Sequence, residues 1–182
     1  GSDSIRNVTF EQQLEAESLW IKFNSDQSGS RRGFLAYYYL VHGNEISGTA
    51  GTIASPMWPH AYRPLVTSQS NQASETTWRV TVSEGKVVRI TFDNFNVQWP
   101  SYEAQDCSSY LVVHDGYDET SQELLHSCGT TLPDPLISAS NVVFIRLVAM
   151  RSSYASHNPG SKFKLQWHEI STSEIQGGST DN

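Results

Sequence analysis

The groups in this chain that could hold a metal or do acid–base chemistry are six histidines, two cysteines and nineteen acidic residues. The histidines His42, His60, His114, His126, His157 and His168 are scattered, and no two stand in the H-x-x-x-H spacing that puts paired imidazoles on one helix face for zinc. His114 and His126 stand in the region of the cysteines, but His114 alternates with the apolar Val113, which predicts a solvent-facing side chain. The chain has many serines and no G-x-S-x-G elbow, and no glycine-rich phosphate loop. The neighbouring carboxylates Asp118 and Glu119 sit in a polar turn, where solvation accounts for them. No catalytic constellation emerges, and the expectation is a non-enzyme with no catalytic residues.

Cys107 and Cys128 are the whole thiol inventory. Bonded to each other they would close a loop of about 21 residues, worth roughly 3 kcal/mol in the chain-entropy description. Two separate buried thiols fit the residues equally well at this point. Asn7-Val8-Thr9 is an acceptor sequence for N-linked glycan.

The elements that must position these groups are strands. Trp78, Val80 and Val82 alternate with Arg79 and Thr81, and Val88, Ile90 and Phe92 alternate with Arg89 and Thr91. Leu111 and Val113 lead into the turn signal His114-Asp115-Gly116. Val143, Ile145 and Leu147, then Phe163, Leu165 and Trp167, repeat the pattern. Period two, β-branched and aromatic content and Gly/Asn/Asp/Pro boundaries predict many short strands in a sandwich or barrel. With 37% hydrophobic and 17% charged residues the chain is too apolar for a disordered one. A net charge of −7 leaves no basic surplus to neutralise phosphates, which argues against nucleic acid and against an anionic membrane surface. No run approaches the ~20 apolar residues of a membrane helix, and the polar start lacks the apolar core of a signal peptide.

An internal repeat organises the chain. Leu19-Trp20-Ile21-Lys22-Phe23, polar residues and Gly33-Phe34-Leu35-Ala36-Tyr37-Tyr38 read as strand, long turn, glycine, strand. Val143 to Leu147, Gly160 and Phe163 to Trp167 repeat the scheme. Residues 1–43 are therefore expected to be the end of a domain that begins upstream, 44–170 a complete domain, and the Ser/Thr/Gly-rich 171–182 a flexible linker. The apolar faces Leu19/Ile21/Phe23 and Phe34/Ala36/Tyr38 would need a cover, from another chain, from an exchanged segment in a dimer, or from the flank of 44–170.

Gly51-Thr52-Ile53-Ala54-Ser55-Pro56, then Trp58-Pro59 and Tyr62, resembles the opening of a CUB domain. Trp78-Arg79-Val80 and Val88 to Phe92 resemble its next strands. The most specific match is Cys107, then Tyr110-Leu111-Val112-Val113-His114-Asp115-Gly116, closed by Cys128-Gly129. The style is similar to tandem-CUB proteins of the cubilin type. The resemblance implies an all-β, jelly-roll-like antiparallel sandwich, a Cys107–Cys128 disulfide and an extracellular setting, secreted or on a membrane protein's ectodomain. The family's earlier disulfide has no counterpart, since its cysteines would fall near Thr76 and Val41 to Gly43. Many CUB domains carry calcium on three acidic side chains, as hard cations require. Here Ser109 stands for the aspartate after the cysteine, Met150 for the late aspartate, and Gln98 or Glu103 for the glutamate. Calcium is therefore not expected. Asp26 matches the late aspartate in the first segment, but without partners. The implied function is recognition of an extracellular protein ligand, with a carbohydrate-binding module and a spacer or regulatory domain attached to a protease as alternatives. Aromatics dominate interface hot spots, so Met57, Trp58, Trp99, Tyr102, Glu103 and Tyr117 are the candidate contact residues, Trp58 and Tyr102 being equally readable as packed anchors.

Overall fold

The computed structural model describes residues 21–22, 44–62, 64, 73–97, 107, 109–150 and 160–176. The backbone gathers into two compact units, Gly1–Ala36 and Tyr37–Asn182. In the first, Ile21 and Lys22 are described and both are exposed. The account below concerns the second.

Nine strands follow in order: β1 Asn44–Ser47, β2 Ala50–Ala54, β3 Ser74–Thr81, β4 Lys86–Asn96, β5 Tyr110–Asp115, β6 Gln122–Ser127, β7 Leu136–Ile137, β8 Val142–Ala149 and β9 Lys162–Ser171. They form a five-stranded sheet in the order β1-β3-β8-β5-β6 and a four-stranded sheet in the order β2-β9-β4-β7. The β1–β3 pair is parallel and the other pairs are antiparallel. Alternation in the sequence becomes alternation across the sheet, because successive side chains point to opposite faces. Trp78, Val80, Leu111, Val113, Val143, Ile145 and Leu147 from the first sheet meet Ile90, Phe92, Phe163, Leu165 and Trp167 from the second in one buried core. The sheets touch edge to face where Trp78 meets Phe163, ring centroids 5.6 Å apart. Each large side chain so buried stabilises the fold by about 1.5–3 kcal/mol. Gly51 pairs with Trp167, and a Cβ there would lie 2.7 Å from the indole, so only glycine admits the ring.

The strand registers define two ends. Ala54, Tyr62, Ser74, Val97, Tyr110, Ser127, Ala149 and Ser161 lie at one, where Val97 and Gly129, and Tyr62 and Ser161, exchange backbone hydrogen bonds. The turns 82–85, 116–121 and 138–141 lie at the other.

A flexible linker was expected from residue 171, and the described part of it has regular structure. Ser171 closes β9 and Thr172–Gln176 form a short helix, α1. The Ser171 amide donates to the Glu174 carboxylate at 2.9 Å, one half of a capping box, in which a Ser or Thr start and a Glu three residues on satisfy each other's backbone amides. Residues 177–182 lie outside the described residues.

Candidate functional site

At the first end Cys107 and Cys128 are bonded to each other, with Cα atoms 5.8 Å apart. Two residues on, Ser109 is buried at 4% exposure, and its Oγ accepts the Met150 amide at 3.0 Å. The structure thus brings together two of the positions that sequence reasoning compared. Nearby, the turn after β2 is held by the Ser55 Oγ, which accepts the Phe163 amide at 3.1 Å, and by the His60 amide donating to the Met57 carbonyl at 2.9 Å. Met57 adopts the left-handed backbone region (φ 65°), unusual for a residue with a Cβ. Its side chain packs against the core. Trp58 is half-buried and precedes a cis proline, Pro59. Trp99, Tyr102, Glu103, Asn7 and Asp26 lie outside the described residues.

Tyr117 lies at the opposite end, apart from Met57 and Trp58. The chain leaves β5 at Asp115, whose carboxylate accepts the amides of Ala139 and Ser140 at 2.7 and 3.0 Å and the Ser140 hydroxyl at 2.7 Å. Gly116 follows with φ 148°, and a Cβ there would lie 2.7 Å from that of Ser121. The turn then folds back over the outer face of the five-stranded sheet. Arg79 staples it: its Nε donates to the Tyr117 carbonyl at 2.7 Å, its guanidinium lies 3.7 Å from the Tyr117 ring centre, and its Nη1 pairs with Glu45 of β1. Tyr117 is held in this way while 63% exposed. Asp118 accepts the Thr120 amide and hydroxyl at 2.9 and 2.6 Å. Those bonds, the hydroxyl's first, hold its carboxyl below the usual range. Glu119 pairs with Arg146 of β8 at 2.8 Å.

Beneath this turn lies a cleft of about 330 Å³ lined by Tyr110, Val112 and His114 of β5, Glu123 and His126 of β6, Arg146, Glu119 and Thr120. The expectation that His114 faces solvent is corrected. It does point to the outer face of the sheet, but the turn covers that face, and His114 is 7% exposed. Its Nδ1 donates to the Ser121 carbonyl at 3.0 Å, and its ring lies 6.2 Å from that of Phe144. A bulge in β6 opposite Val113 and His114 shifts the register so that Glu123 pairs with His114. Sequence reasoning missed Arg79, His114, Glu123, His126 and Arg146 as neighbours. Their one visible signal was that Tyr110, Val112 and His114, like Phe144 and Arg146, share the outward positions of their strands.

The CUB domain profile matches residues 42–159, well over half of the chain. The chain belongs to the CUB domain family. Mouse Tolloid-like protein 2 is 34% identical over 131 residues, 72% of this chain and 12% of that protein. The Cubilin homolog of Drosophila melanogaster is 30% identical over 164 residues, 90% of this chain and 4% of that protein. The chain therefore spans a small fraction of these relatives. Among solved structures, the CUB2 domain of MASP-1 bound to Ca2+ superposes with a TM-score of 0.53 at 24% identity, over 69% of this chain and 97% of that one. That likeness confirms the sandwich.

The family and that solved neighbour raise calcium as a question for this CUB domain. Calcium takes 6–8 oxygen ligands, with carboxylates prominent among them. Ser109 offers a neutral hydroxyl whose oxygen already accepts the Met150 amide, and Met150 offers a thioether. No group of three His, Cys, Asp or Glu is placed to hold a metal among the described residues. Ser109 and Met150 thus bring no carboxylate to this edge, and Gln98 and Glu103 lie outside the described residues.

Proposed function

We propose that this CUB domain is an extracellular, non-catalytic protein-recognition module that works without resident calcium. The observation that carries the reading is Tyr117, a large aromatic kept exposed and rigid by the Arg79 staple. Interface hot spots favour such residues, because a side chain fixed beforehand loses little entropy on binding. The extracellular assignment draws support from the disulfide, which persists in oxidising compartments. No described helix is long and apolar enough to cross a membrane. In this reading residues 1–43 are the end of a preceding CUB domain and 44–170 a complete one. Support comes from the fly cubilin homolog, whose similarity covers 90% of the chain and so extends beyond 44–170.

The test is a screen of the whole chain against displayed ectodomain proteins, run beside a glycan array. The reading expects a saturable protein ligand whose affinity falls about tenfold with Tyr117→Ala. Binding to glycans alone, or a protein ligand indifferent to Tyr117 and Trp58, contradicts it.

A further inference from the structure

We infer that the outer face of the four-stranded sheet docks an acidic segment of a partner protein, with a carboxylate on Arg89 and an apolar side chain against Ile137. This deepens the protein-recognition reading and rests on it for the partner. The face follows from the register. Val88, Ile90, Leu165 and Trp167 point into the core, so Arg89 of β4 points outward, with His168 of β9 on one side and Ile137 of β7 on the other. Ala50 of β2 extends this row beyond His168. Ala50, Thr52, Gln166 and Ile137 are exposed, so the face is open to solvent around the row. Arg89 differs from the other described arginines. Arg79 pairs with Glu45, and Arg146 pairs with Glu119 and Glu75. Arg89 is half-buried and has no ion-pair or hydrogen-bond partner among the described residues. Lys162 of β9 stands on the same face, also without one.

The one carboxylate at an outward position of these four strands is Asp93, and it is already committed. It accepts from the Gln166 amide at 2.9 Å and pairs with Lys164 at 3.3 Å. At ~3.3 Å per residue it stands about 13 Å from Arg89 along β4. Within a chain of net charge −7, the described strands of this face therefore present uncommitted cations and no uncommitted acid. A guanidinium offers donors in a planar fork that matches a carboxylate, and it is weakly hydrated, so it suits a half-buried interface position. Ile137 beside it supplies the apolar contact. A basic partner would meet like charge here, which costs affinity. A sulfated or phosphorylated polymer draws its affinity from many cations at once, more than Arg89 and Lys162 provide.

The probe is a capped hexapeptide alternating glutamate and leucine. The glutamine–leucine and lysine–leucine hexapeptides and a heparin tetrasaccharide are the controls. Each is titrated into the isotope-labelled whole chain and followed by amide shifts. The acidic peptide should shift the amides of Arg89, Thr91, Ile137 and His168 saturably, and more weakly as salt is added. The glutamine peptide should bind about tenfold more weakly, as should the acidic peptide to the Arg89→Gln/Lys162→Gln variant. Glu123→Gln, on the other sheet, should change nothing. Equal binding of the glutamine peptide, preference for the lysine peptide or for heparin, or shifts centred elsewhere overturns the assignment. A protein ligand that depends on Tyr117 while the acidic peptide fails to bind would sink this face and spare the recognition reading. Binding of the peptide at Arg89 without any protein partner in the ectodomain screen would do the reverse.

Discussion

The two ends of the sandwich handle polar groups in opposite ways. At the disulfide end the described polar contacts point into the fold: Cys107 to Cys128, Ser109 to Met150, Ser55 to Phe163, Tyr62 Oη to Ser74 Oγ at 2.7 Å. At the other end the Asp115–Ser121 segment is just as firmly held, by Asp115 and Arg79, yet what it holds out is the exposed ring of Tyr117. Rigidity alone does not mark a recognition surface. What separates the two ends is whether a large side chain is left in solvent once the fold is satisfied: Tyr117 is 63% exposed, whereas Tyr62 and Ser109 are buried.

The largest effect should come from removing the disulfide. Replacing both Cys107 and Cys128 by Ala should lower stability by about 3 kcal/mol in urea denaturation, while the amide shifts of Tyr117 and Thr120 at the far end persist in the folded variant. Loss of those shifts would show that the two ends are not independent. Asp115→Ala removes three hydrogen bonds to a carboxylate and should cost about 2 kcal/mol, with loss of the affinity that depends on Tyr117 because the turn is no longer placed. An unchanged midpoint would deny the turn its anchor. Thr76, where the family's missing bridge would have ended, is buried with its hydroxyl unsatisfied, so Thr76→Val should gain about 1 kcal/mol. A loss there would mean that the hydroxyl has a partner.

The smallest effect is the pH dependence. Asp118 is held down by the Thr120 hydroxyl and amide, and Asp93 by the Gln166 side chain and then Lys164. A carboxyl with a depressed folded pKa contributes stability that is present above its unfolded value, about 4, and is lost as pH falls through the folded one. Stability should therefore decline gently from about pH 5 to pH 3, and Asp118→Asn should flatten that decline. A decline of the same slope in the variant would remove Asp118 from the account.

Much of the scaffold was legible in the sequence because period-two burial is local: each inward residue from Trp78 to Trp167 was marked by its neighbours. The disulfide was readable only through the family resemblance, since two cysteines define no pairing by themselves. The cleft was not legible. His114 was read as solvent-facing from the same alternation that placed Val113 inward, and the alternation was right about direction. What it lacked was the cover, a turn folding back through Arg79 and Glu45, residues 38 and 34 positions away along the chain from their partners. The register shift that sets Glu123 opposite His114 is a bulge, and nothing in the apolar pattern of β6 signals it. The short helix α1 could have been found: Ser171-Thr172-Ser173-Glu174 carries its own start signal.

The central claim is that recognition at the far end proceeds without metal at the disulfide end. The most direct measurement titrates the protein ligand found in the ectodomain screen into the isotope-labelled chain, in millimolar calcium and again in excess chelator. The account expects the same amide shifts around Tyr117 and Thr120 with the same affinity in both, and an unchanged melting temperature of the free chain, because an ion that binds only the folded state must raise it. Calcium-dependent affinity, a clear rise in melting temperature with calcium, or ligand shifts centred on Ser109 and Met150 would contradict it.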